Sequence, residues 1–124
     1  MTFSVAIASS SRFYDDVRTL ASHLTGAGHS VLTPDFDFDE THVQVDAERK
    51  RQLTWRFLNA LPSCDLLYVV AGGGYTGCSV HIEVSYAAAH GIPVVLSETP
   101  LEDAVLALSS GVMPLSDAVA GKLS

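Results

Sequence analysis

Four short runs rich in β-branched and apolar residues, at 3–8, 30–33, 65–71 and 93–97, alternate with stretches of helical periodicity. This alternation restricts the fold more than any other feature. Strands of that length separated by helical crossovers form a parallel sheet covered on both faces, so the reading is a doubly wound, Rossmann-like α/β domain of four to five strands. The chain of 124 residues has room for one such domain, 1–124, with a closed core. Its 48% apolar and 17% charged residues are those of a globular chain rather than a disordered one.

The helical stretches are specific. Val17, Leu20, Ala21 and Leu24 mark an amphipathic helix over 14–27, with Asp15 and Asp16 in its first turn and Gly28 ending it. Leu53, Phe57, Leu58 and Leu61 share one side of a helix over 45–61, broken by Pro62. A third helix over 79–90 takes Ser79 as its cap and ends at Gly91. Thr99, Pro100 and Glu102 have the form of a further helix start: cap, proline at the first position, acid in the first turn. Residues 111–124 hold a short strand and a short helix.

Composition excludes several functions. A formal charge of −7, with clustered cations only at Glu48-Arg49-Lys50-Arg51, argues against polymeric nucleic acid, which needs cations to displace counterions. It leaves open a small anion held by backbone amides. Cys64 and Cys78 form no CxxC pair, so neither a disulfide framework nor a zinc knuckle is expected. The apolar runs are too short to span a membrane, and the first residues lack a basic segment followed by a long apolar one. A cytoplasmic protein with no metal or cofactor is expected. The acidic loop from Asp35 starts as a calcium loop does, but Glu40 stands at the sixth position, where glycine is required, and Asp46 at the twelfth. A solvated loop at a strand end is the better reading.

In such sheets ligands bind beyond the carboxyl ends of the strands. Three loops lie at that edge: 9–12, 35–40 and 72–78. In the last, Gly72-x-Gly74-x-x-Gly77 matches a dinucleotide fingerprint with Glu98 following 21 residues after Gly77, yet it follows the third strand and leaves little room for a second half-site. Read as a phosphate loop, Gly72-x-x-x-x-Gly77-x-Ser79 has Cys78 where lysine is required, which disfavours an NTPase. A third reading turns on Glu83. One turn beyond Ser79 and flanked by Val80, Ile82 and Val84, it is either a carboxylate poised beside the loop or an ordinary glutamate in a helix's first turns. His81 and His90 lack metal-ligand spacing to each other, Cys78 has no partner set for a nucleophile, and Trp55 is a core or dimer-contact residue rather than a base-stacking platform.

The segment Gly73-Gly74-Tyr75-Thr76-Gly77-Cys78-Ser79-Val80-His81-Ile82-Glu83, with Gly91-Ile92-Pro93-Val94 after it, resembles the nucleoside 2-deoxyribosyltransferase family, which includes 2′-deoxynucleoside 5′-monophosphate N-hydrolases. The opening Val5–Phe13 and Gly28–Pro34 resemble that family's first β-α-β unit, and the similarity runs over about residues 3–98. The resemblance implies cleavage of an N-glycosidic bond with Glu83 as nucleophile. It implies Ser9, Ser10, Ser11, Arg12, Asp35, Gly74, Tyr75, Gly77 and Ser79 as substrate-binding residues, the serines, Arg12 and the amides of 74–79 cradling sugar or phosphate. It also implies a homodimer acting on a small nucleoside or nucleotide. Family members carry an acid in the helix before the third strand; Leu53–Cys64 contains none, leaving Asp35, Asp37, Asp46 and Glu48 as substitutes. Two alternatives stand beside this reading. One is a nucleotide-binding module without catalysis. The other is a phosphoribohydrolase of the cytokinin-activating type, whose Gly-Gly-x-Gly-Thr-x-x-Glu spacing is not met here.

Overall fold

The structure is a computed structural model that describes residues 2–36 and 46–123. Five strands, β1 (Ser4–Ser9), β2 (Ser30–Leu32), β3 (Leu66–Val70), β4 (Val94–Leu96) and β5 (Gly111–Val112), form one all-parallel sheet in the order β2-β1-β3-β4-β5. Five helices connect and follow them: α1 (Tyr14–Gly26), α2 (Ala47–Ala60), α3 (Gly77–Ala89), α4 (Asp103–Leu108) and α5 (Leu115–Val119). This is the doubly wound arrangement, and the strand order reverses between β1 and β3.

The period-2 alternation of the strands divides the core into two layers. Ala6, Ala8, Leu67, Val69, Val94 and Leu96 face Phe57 and Leu61 of the α2 segment, Val80, Val84 and Ala87 of α3, and Val105 of α4. Val5, Ile7, Tyr68 and Val70 face Val17, Leu20 and Leu24 of α1 and Ala118 of α5. The central strands are therefore apolar on both sides, as buried parallel strands must be. Register is pinned at the edges. The Asp65 amide donates to the Ser4 carbonyl at 2.8 Å, and the Ser4 amide donates to the Asp65 carboxylate at 2.8 Å, locking β3 beside β1. On the α1 side, the Tyr68 hydroxyl donates to the Met113 carbonyl at 2.7 Å, tying β3 to the segment after β5.

Two helix starts differ from the sequence reading. Helix α3 begins at Gly77 with Thr76 at the cap, not at Ser79, and the Thr76 hydroxyl bonds the His81 ring at 2.7 Å instead of capping an amide. Helix α4 begins at Asp103 with Glu102 at its cap. The Thr99-Pro100 start is overridden because the Leu101 amide donates to the Gly74 carbonyl at 3.0 Å, which ties 99–101 to the glycine loop. Of the two places offered for Trp55, the core is excluded: it is 49% exposed on α2. Most of the acidic loop, including Asp37 and Glu40, lies outside the described residues.

Candidate active site

The glycine loop is shaped by close approach. A Cβ on Gly72 would lie 2.6 Å from the Phe13 ring, and one on Gly74 would lie 2.8 Å from the Thr99 carbonyl oxygen, with φ there at +82°. Only glycine fits position 74, and a side chain at 72 would have to displace the Phe13 ring. The loop is also largely self-satisfied. The Gly74 amide donates to the Ala71 carbonyl, the Tyr75 amide to the Gly72 carbonyl, and the Gly73 amide to the Glu98 carboxylate at 3.0 Å. Amides of 73–75 are thus committed within the protein, which corrects the expectation that the cradle starts at Gly74. The first turn of α3 has no side-chain cap from Thr76, so its amides are not engaged by that side chain. Glu98, the acid of the dinucleotide reading, braces the loop instead.

Beyond the carboxyl ends of β1, β2 and β3 lies a cavity of about 260 Å³. It sits at the reversal of strand order, where open α/β sheets bind ligands. Ser9, Ser10 and Ser11 line it from the β1 loop and Asp35 from the β2 loop. Lys50, Thr54, Arg56 and Phe57 line it from α2, and Tyr75, Gly77, Cys78, Ser79 and Glu83 from the glycine loop and α3. The Ser9 hydroxyl is buried and has no hydrogen-bond partner among the described residues. Ser10 caps the short helical turn at 11–13 by accepting from the Arg12 amide at 3.4 Å.

Two of the residues implied by the resemblance lie off this cavity. Gly74 lines a second hollow on the outer side of the loop, with His81, Leu101 and Glu102. Arg12 is exposed, its guanidinium 4.1 Å above the centre of the Tyr75 ring. Phe13 meets the same ring edge-on at 6.3 Å. Arg12 and Phe13 therefore fix the Tyr75 wall, a placement that aromatic and cation–π contacts favour.

Glu83 is the most perturbed acid in the cavity. Its neighbours in sequence, Val80 and Val84, are fully buried, and the side chain itself is only partly open, toward the cavity. Among the described residues no hydrogen-bond donor reaches it. Burial pushes its carboxyl up to about 8, and the Lys50 ammonium acts in the opposite direction. Asp35 pairs with Arg49 at 3.4 Å, and Arg56 donates to the Thr33 carbonyl at 2.8 Å, so α2 is stapled to the end of β2. Asp37 lies outside the described residues, and the remaining substitutes for a second acid, Asp46 and Glu48, are engaged outside the cavity. Asp46 caps α2 by accepting from the Arg49 amide at 2.7 Å, and Glu48 lies 3.9 Å from Arg51. Asp35 is the second carboxylate of the cavity among the described residues, and α2 contributes an ammonium where an acid was expected.

Lys50, Thr54, Arg56 and Phe57 were not singled out as site residues from the sequence. Lys50, Leu53, Thr54 and Phe57 fall at i, i+3, i+4 and i+7, a single helical face. That spacing was the available signal; which side the face looked to was not. No group of three or more metal-ligating side chains occurs among the described residues, and no described helix is long and apolar enough to cross a membrane.

With this geometry in view, the chain was compared with known proteins. It matches a solved 2-deoxyribosyltransferase from the psychrotolerant bacterium Bacillus psychrosaccharolyticus with a TM-score of 0.70, covering 94% of this chain and 90% of that one. This is the 2-deoxyribosyltransferase fold. Sequence identity across that match is 17%. A conserved protein from Enterococcus faecalis V583 matches at 14% identity with a TM-score of 0.64, covering 97% and 96% of the two chains. No family model matches the chain, and no curated protein matches it in sequence. The fold is thus shared while nearly all side chains have been replaced.

Proposed function

We propose that this protein cleaves the N-glycosidic bond of a nucleoside or its 5′-monophosphate, with Glu83 as the nucleophile. The observation that carries the reading is a desolvated carboxyl group on the second turn of a helix whose first residues, Gly77, Cys78 and Ser79, line the same cavity. The reaction balances without a cofactor. The Glu83 carboxylate attacks C1′, the C1′–N bond breaks with its electron pair going to the base, and the departing base takes up a proton from solvent, which the attacking water returns in the second step. Water then displaces Glu83 from C1′, giving the free sugar; a second base in place of water gives transfer. Desolvation raises the energy of the carboxylate in its resting state and strengthens its attraction to an oxocarbenium-like centre.

The cavity supports a mononucleoside-sized ligand rather than a dinucleotide, since about 260 Å³ is below the span of about 300 to 1,000 Å³ usual for ligand sites. Ser9–Ser11 and the first-turn amides of α3 offer neutral donors suited to a sugar or a 5′-phosphate, and Lys50 and Arg56 add positive charge. The Bacillus enzyme of the same fold is a 2-deoxyribosyltransferase, which supports chemistry of this class. The test is a panel of nucleosides and 5′-monophosphates incubated with the protein, read as free base by chromatography and as thermal stabilisation in parallel. Release of base supports the proposal. Stabilisation by a nucleotide with no base released from any member assigns the cavity to binding alone.

A further inference from the structure

We infer that Lys50, which lines the same cavity as Glu83 from α2, is a positioning residue that favours the carboxylate form of Glu83 against the effect of burial. The inference rests on the nucleophilic reading of Glu83 for its purpose, but its geometry stands apart from that reading. Helix α2 packs against α3, and Lys50 and Glu83 line the same cavity from these two helices.

Among the described residues, the surroundings of Glu83 hold few sources of positive charge. Titratable and charged groups reach the cavity from four directions: Tyr14 from α1, Asp35 after β2, Lys50 and Arg56 from α2, and Tyr75 and Cys78 at the start of α3. Asp35 brings negative charge and is paired with Arg49. Tyr14, Tyr75 and Cys78 bring no cation. Arg56 spends a guanidinium donor on the Thr33 carbonyl, at the β2 end of the cavity. Among the described residues, Lys50 is the cation that acts on Glu83, and it opposes the effect of burial on that carboxyl. A carboxylate taken out of water with no hydrogen-bond donor is held by a nearby opposite charge or is neutralised by a proton. An ammonium on a flexible stem suits this task, because it supplies charge without a rigid bidentate grip that would tie up both oxygens of a nucleophile.

The experiment titrates Glu83 directly, by carbon NMR of protein carrying carboxyl-labelled glutamate, with the resonance assigned by its absence in Glu83→Gln. Wild type, Lys50→Met, Lys50→Gln and Lys50→Arg are compared. The two neutral variants are expected to raise the Glu83 midpoint by about one unit, a tenfold loss of carboxylate at a given pH below it, and Lys50→Arg is expected to restore it. Two neutral replacements guard against either one folding poorly. An unchanged midpoint in the neutral variants overturns the inference. Where base release is measurable, the acid limb of kcat/KM moves by the same amount. A shifted midpoint in a protein that releases no base from any substrate upholds the role of Lys50 and removes the N-glycosidase reading instead.

Discussion

Replacing Glu83 by glutamine tests the electrostatics of the site without any substrate. The amide has nearly the size of the carboxyl group and carries no charge at any pH. In the folded protein the Glu83 carboxyl titrates near 8, against an ordinary value of 4.5. Between those values the folded state holds a proton that the unfolded state has lost. Stability therefore falls as pH rises through this window, and it stops falling above the folded value. At about 1.4 kcal/mol per unit, the full span amounts to roughly 5 kcal/mol, a large part of the stability of a domain of this size. Near pH 5 the wild type and Glu83→Gln are expected to be nearly equally stable. Near pH 9 the variant is expected to be the more stable by several kcal/mol. Urea unfolding of both proteins at the two pH values isolates the effect, because titrating groups that do not interact with Glu83 contribute equally to both. A gap between the two proteins that does not change with pH refutes the reasoning, since Glu83 would then titrate as it does in water.

Two further outcomes follow from the packing. Gly73 and Gly74 both have positive φ, +62° and +82°, but a Cβ on Gly73 meets open space while one on Gly74 lies 2.8 Å from the Thr99 carbonyl oxygen. Gly73→Ala is expected to cost about 1 kcal/mol and Gly74→Ala about 3 or more in urea unfolding, and equal costs would contradict the described contact. Tyr68→Phe leaves the Met113 carbonyl without its 2.7 Å donor, for an expected loss of about 1 to 2 kcal/mol by thermal or urea unfolding.

The layered core was legible because its pattern is local. Alternating Val5, Ala6, Ile7 and Ala8 announce a strand buried on both faces, and Val17, Leu20 and Leu24 announce the helix that covers one of them. What resisted reading depended on contacts between distant segments. The Thr99-Pro100-Leu101-Glu102 stretch has every local mark of a helix start, yet the Gly74 carbonyl takes the Leu101 amide, and the helix is deferred to Asp103. The same is true of the glycine loop. Three glycines suggest an open cradle of amides, and Glu98, 25 residues beyond Gly73, closes on one of them.

The candidate site shows the same division. Glu83 and the serines stand at strand and helix ends, where a doubly wound sheet gathers its ligand-binding groups, so sequence order alone brings them together. Lys50 enters from the middle of the chain. Its helical face was readable, but its position opposite Glu83 follows from how α2 crosses to meet α3, which no local pattern records. Arg12 was expected at the substrate from the family resemblance, and it stacks instead on the Tyr75 ring.

The most direct test of the account is the rate of base release by wild type and Glu83→Gln, measured side by side above pH 8 on the best substrate of the panel. The account predicts a loss of at least about 10³-fold in kcat/KM for a variant that is folded and, at that pH, more stable than the wild type. Rates within tenfold of each other would contradict it, because the Glu83 carboxylate would then be doing none of the chemistry.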